Sequence, residues 1–146
     1  MEFVCKSFHE LTVEELYDIL ALRVSVFVVE QHCAYEETDG IDQRAKHLFM
    51  VEDGNMVSYL RYFIVDDGMV QIGRVVSRIR NHGYGRMVLN KAIDLIKEIP
   101  DVSGIVLEAQ VYAIAFYEKA GFTVVSEPFD EDGIPHVKME LRFSQA

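Results

Sequence analysis

Apolar and polar positions recur with two periods along the chain. Residues 2–8 alternate weakly, as a short strand does. Thr12-Val13-Glu14-Glu15 sets a hydroxyl at a helix cap and a carboxylate three residues on, a capping box. Leu16, Ile19, Leu20, Val24 and Phe27 follow at helical spacing and predict a helix over about residues 13–31, with this stripe as core. From Cys33 to Lys46 the chain is polar and acidic, with Asp39-Gly40 as a turn, and reads as a loop.

Three strand signals come next: 47–52, 56–65 and 69–77. Asp53-Gly54-Asn55 and Asp66-Asp67-Gly68 separate them as antiparallel hairpin turns. After Gly83-Tyr84-Gly85 a helix begins. Its broad apolar face runs from Met87 to Ile96, and Pro100 stops it. Residues 103–109 read as a buried strand and 113–120 as a short helix ended by Gly121. Strands over 122–127 and 136–143, turning at Asp132-Gly133, complete the pattern. A crossover spliced onto a meander predicts an α/β (α+β) fold, a mixed and largely antiparallel sheet with helices on both faces.

At 146 residues the chain is one domain's worth, and half of it is hydrophobic, enough to build a core and to exclude intrinsic disorder. No apolar run approaches the length that spans a bilayer, and no signal peptide opens the sequence, so the expectation is cytoplasmic, with no membrane partner. A net charge of −10 repels phosphate backbones and argues against nucleic acid as a partner. The five histidines show no metal-ligand spacing, so no metal is expected. Two cysteines do not make a disulfide framework. Glu36, Glu37 and Asp39 read first as a solvated loop and second as a lining for a cationic substrate.

The chemistry concentrates between Ser77 and Arg86: strand, glycine-containing loop, helix N-terminus. Such a helix start offers unpaired N–H donors and the positive end of a dipole, suited to a phosphate or diphosphate. Arg80 and Arg86 add positive charge. Gly85 is followed by Arg86-Met87, which is not a Walker loop, and Val88 breaks the dinucleotide fingerprint.

Arg80-x-x-Gly83-x-Gly85 resembles the Q/R-x-x-G-x-G/A pattern of coenzyme A binding in GNAT (Gcn5-related) N-acetyltransferases. Gln110-x-x-Ala113-x-x-Phe116-Tyr117-Glu118-Lys119-Ala120-Gly121-Phe122 resembles the second half of that superfamily's site. The blocks Leu22–Gln31 and Glu131–Met139 are similar to its ElaA-like branch, so the likeness runs from about residue 8 to 141. Two departures stand out. The loop before Arg80 is one residue shorter than in many relatives, and Gln110 stands where many carry Asn, a change that ElaA-like proteins share.

The resemblance implies acetyl transfer from acetyl-coenzyme A to an amine, by direct attack in a ternary complex. It implies cofactor contacts from Val75, Val76, Ser77, Arg80, Asn81, His82, Gly83, Tyr84, Gly85, Arg86, Gln110, Ala113 and Phe116. It gives Tyr117 the role of general acid to the departing thiolate. A base for the amine is open among Glu108, Glu30, His47 and His136, with Glu108 entered beside Tyr117 as catalytic. Phe27, Glu30, His47 and His136 are expected on the acceptor side, for a small-molecule or peptide amine. His47 and His136 also fit a plainer role, as strand-end residues satisfied by backbone. The reading from another class is a non-catalytic acyl-coenzyme A-binding sensor or interaction module. Oligomeric state leaves no trace in the pattern, and a homodimer stays open.

Overall fold

A computed structural model describes residues 1–30, 37–78 and 82–143, leaving aside the side chains of 28–30 and Asp67. Strand β1 (Glu2–Ser7) leads through the Thr12 cap into helix α1 (Val13–Arg23). The capping box forms as expected: Thr12 Oγ1 accepts from the Glu15 amide at 3.0 Å, and the Glu15 carboxylate accepts from the Thr12 amide at 2.8 Å. The single helix expected over 13–31 is instead an α-helix to Arg23 and a π-helical segment, Val24–Glu30. Wider π turns retain the apolar pattern while re-aiming the side chains, so periodicity did not separate the two.

Strands β2 (Lys46–Glu52), β3 (Asn55–Ile64) and β4 (Met69–Ser77) form the expected meander. Helix α2 (Tyr84–Lys97) crosses over to β5 (Gly104–Gln110), and the short helix α3 (Ile114–Glu118) follows. The strand expected over 122–127 shrinks to β6 (Thr123–Val124), and a hairpin of β7 (Phe129–Glu131) and β8 (Ile134–Arg142) follows. Two of the three Asp-Gly hairpins have positive φ at both turn residues, Asp53 52° and Gly54 78°, Asp132 52° and Gly133 81°. That is the primed geometry whose twist matches the strands. The turn from β3 to β4, Asp66–Gly68, is a 3₁₀ turn.

The sheet order is β1-β2-β3-β4-β5-β8-β6, with β7 paired to β8. Every pairing is antiparallel except β4 with β5, and helices cover both faces, as the fold class required. Alternation along each strand feeds two cores. Leu48, Leu60, Val70, Ile72, Ile105 and Leu107 pack under α2 with Val88, Leu89, Ala92 and Ile96. On the opposite face, Phe49, Met56, Tyr59 and Val76 pack under α1 with Ile19 and Leu22. Burying each such side chain stabilises the fold by about 1.5–3 kcal/mol before entropy is counted. Among the described residues no helix is long and apolar enough to cross a membrane.

Candidate active site

Strands β4 and β5 pair only at Met69–Gly104, Val70–Ile105 and Gln71–Val106, and then part. The cause lies one strand away. Tyr59 pairs with Val76 and Arg61 with Gly73, so Arg74 and Val75 both stand opposite Leu60. This is a β-bulge, which bends the strand and breaks its alternation. Val70 and Ile72 pack toward α2, and unbroken alternation would send Val76 there too. Instead Val75 packs toward α2 and Val76 lies in the α1 core. Arg74 carries the distortion, with φ 54°.

The parted strands open a cleft of about 560 Å³. Val75, Val76 and Ser77 form its β4 wall, and Glu108 and Gln110 stand on the β5 side. Beyond Gln71 and Val106 the facing strand edges no longer pair with each other, a geometry in which a strand edge can take up an amide-bearing chain. Ala113, Phe116 and Tyr117 close the cleft from the α3 side. Tyr117 is only 9% exposed, held edge-on between Phe116 at 5.0 Å and Phe122 at 6.0 Å. Its hydroxyl has no hydrogen-bond partner among the described residues. Burial pushes the phenol above the ordinary tyrosine range, so it stays protonated.

At one end of the cleft helix α2 begins. Gly83, at φ 76°, is its cap, and the first intrahelical bond runs from the Met87 amide to the Gly83 carbonyl at 2.9 Å. Glycine has no side chain to cap with, so the amides of the first turn have no intrahelical acceptor. Gly85 lines the cleft, and a Cβ there would meet only the Phe116 ring, at 3.7 Å. The residues thus suit an anionic group at this helix start.

Glu108, Glu131 and His136 also line the cleft. Burial, reinforced by Glu131, pushes the Glu108 carboxyl above the ordinary carboxylate value. The His136 Nδ1 is 2.8 Å from the Ile134 carbonyl, and its Nε2 lies 3.6 Å from Glu131. Phe27, from the π-helical segment, also lines the cleft.

The Acetyltransferase (GNAT) domain family matches residues 12–143. A UPF0039 protein of Schizosaccharomyces pombe is 45% identical over 145 residues, covering 97% of each chain. Protein ElaA of Escherichia coli is 36% identical over 143 residues, covering 94% of each. The chain belongs to the GNAT family. Among solved structures, an acyl-CoA N-acyltransferase from Pseudomonas aeruginosa superposes with a TM-score of 0.89 at 38% identity, covering 97% of this chain and 99% of its own. E. coli ElaA superposes at 0.88 with 34% identity, covering 96% and 98%. The chain therefore falls in the ElaA-like branch of GNAT proteins.

Not every residue expected at the GNAT site lies in the cleft. His47 is the clearest correction. It is fully buried, with Nδ1 2.7 Å from the Tyr59 hydroxyl and Nε2 2.9 Å from the Asp42 carbonyl. Its strand alternation faces the α1 side of the sheet, and it does not meet an acceptor. Arg86 also turns from the cleft and binds the backbone of α3. Tyr84 donates its hydroxyl to Glu52, and exposed His82 stacks on Tyr84 at 5.6 Å. Arg80 and Asn81 lie outside the described residues, and Glu30 ends the π-helical segment.

Sequence reasoning missed a ring of charge. Glu37 bridges Arg23 and Arg74, Asp39 bridges Arg74 and Arg61, and Asp42 bridges Arg61 and Arg23, through six ion pairs of 2.5–3.4 Å. Its charges cancel: Glu37 is buried in it, and Asp39, which does line the cleft, is paired with Arg61 and Arg74; Glu36 lies outside the described residues. Burial alone would raise the Asp39 and Asp42 carboxyls, but the guanidinium hydrogen bonds overcome it and hold both below the ordinary range. Two signals were present: Arg23 interrupts the apolar stripe of α1, and Arg61 sits inside the apolar strand β3.

Proposed function

We propose that the protein is an acetyl-coenzyme A-dependent N-acetyltransferase that acts on a small-molecule or peptide amine. The observation that carries this reading is the parting of β4 and β5, with the free phenol of Tyr117 in the gap and the uncapped start of α2 at its end. The first-turn amides of α2 would hold the diphosphate, and the open edge of β4 at Val75–Ser77 would pair with the amides of the pantetheine arm. Bound there, acetyl-coenzyme A supplies the acetyl group as a thioester.

The residues divide the work. An alkyl amine has a pKa of roughly 10.4 and arrives protonated. Glu108 takes that proton, freeing the nitrogen lone pair to attack the carbonyl carbon. Its raised pKa suits a base working near neutrality. A backbone amide of the Val75–Ser77 wall would donate to the carbonyl oxygen as charge builds there, an interaction worth about 10²–10³ in rate. As the new C–N bond replaces C–S, the Tyr117 hydroxyl gives its proton to the departing sulfur. The carboxylates of Glu108 and Glu131 give the cleft negative charge that the arginine ring does not cancel, which favours a cationic acceptor.

The test is thiol release from acetyl-coenzyme A with a panel of amines, comparing wild type with Tyr117→Phe. Amine-dependent release that falls in the variant is the expected result. Tight cofactor binding with no turnover of any amine would point instead to a binding module.

A further inference from the structure

We infer that Arg74 is a positioning residue: its guanidinium, tied to Glu37 and Asp39, holds the β4 bulge and with it the Val75–Val76 wall of the cleft. The inference rests on the acyl-transfer reading above.

Arg74 occupies a backbone conformation that favours glycine, at φ 54°. A residue with a Cβ is strained there. Gly73, its neighbour, is not at positive φ. An arginine retained in a strained position implies that its side chain does something a glycine would not. Arg74 Nε donates to Glu37 Oε2 at 2.8 Å, and Nη2 lies 3.4 Å from Asp39 Oδ2. The same two carboxylates are held from behind, Glu37 by fully buried Arg23 and Asp39 by Arg61. The ring thus ties the end of α1, the segment before β2, strand β3 and the bulge of β4 into one rigid unit.

Stability is a poor explanation for such a ring. Buried ion pairs often do no better than well-packed apolar groups. This one also leaves Glu37 Oε1 and Arg61 Nε buried without a hydrogen-bond partner among the described residues. Position is the better explanation. Arg74, Asp39 and Arg61 themselves line the cleft, and Arg74 sits 5.9 Å from the Phe27 ring. Val75 and Val76 follow Arg74 directly, so a shift of the bulge displaces the cleft wall that they form.

Arg74→Gly isolates this role. Glycine adopts the backbone angle without strain, and each carboxylate of the ring keeps at least one guanidinium partner, so the variant folds. The expected result is a kcat lower by roughly 10–100-fold, as for a catalytic group displaced by about 1 Å, with coenzyme A affinity within about threefold of wild type. Arg74→Lys, which still reaches one carboxylate, recovers part of kcat. Amide exchange over residues 73–77 speeds up at least about tenfold in Arg74→Gly while exchange in α2 is unchanged. A kcat within about twofold of wild type, or unaltered exchange over 73–77, would overturn the inference. If the wild-type protein acetylates no amine, the acyl-transfer reading fails, and the exchange measurement still decides whether Arg74 holds the bulge.

Discussion

Arg86 Nη2 donates to the carbonyl oxygen of Phe116 at 2.5 Å, and its guanidinium carbon lies 4.2 Å from the centre of the Phe116 ring. One side chain thereby latches the first turn of α2, where the diphosphate is proposed to bind, onto the helix that carries Tyr117. A charge-assisted hydrogen bond and a cation–π contact are both lost in Arg86→Ala. The variant is expected to unfold about 1–3 kcal/mol more easily, read by chemical denaturation.

Tyr117→Phe removes only a hydroxyl with no partner among the described residues. Stability should stay within about 0.5 kcal/mol of wild type, because no buried bond is broken. Turnover should fall by about 10²–10⁴ if the phenol is the general acid. Since burial raises its pKa, the phenol remains a proton donor throughout the physiological range, and the wild-type rate should show no alkaline loss below about pH 10. Steady-state rates across pH check both statements.

Glu108→Gln tests the base. The Glu108 carboxyl is held above its ordinary value first by burial and then by Glu131. The acid limb of kcat/KM should therefore lie above the usual carboxylate range of about 4.3 and vanish in the variant. An acid limb that survives the substitution would move the role to another group.

Stability should fall on the acid side in two stages. Burial depresses the His47 pKa, so below about pH 6.5 the unfolded chain takes up a proton that the folded chain refuses, and stability drops. Asp39 and Asp42 are depressed by their guanidinium partners. Their contribution is complete above about pH 4 and is lost as pH falls further. Melting temperature against pH should show both stages, with Asp39→Asn flattening only the lower one.

Gly104 tests the frame of the cleft rather than its chemistry. A Cβ at this position would stand 2.6 Å from the Leu141 carbonyl oxygen on the paired strand β8. Gly104→Ala must push β5 and β8 apart, at an expected cost of about 1–3 kcal/mol in a denaturant titration.

Much of this protein is local and therefore legible in its residues. The Thr12 cap, the two primed Asp-Gly hairpins, the amphipathic face of α2 and the glycines at its start each depend on neighbours a few positions away. Short-range patterns carried the order of elements, the family and the proposed places of Tyr117 and Gly85. Tertiary contact alone decided the rest. Arg23 and Arg61 interrupt apolar patterns in the sequence, but the pattern does not name their partners, which lie 14 to 22 positions away in the chain and reach them only on folding. The bulge at Arg74 is invisible for the same reason: it exists only as a mismatch of register between two strands. His47, a plausible base by residue type, is sealed by its contacts with Tyr59 and the Asp42 carbonyl, on the same face as cleft-lining Arg61 but not itself in the cleft.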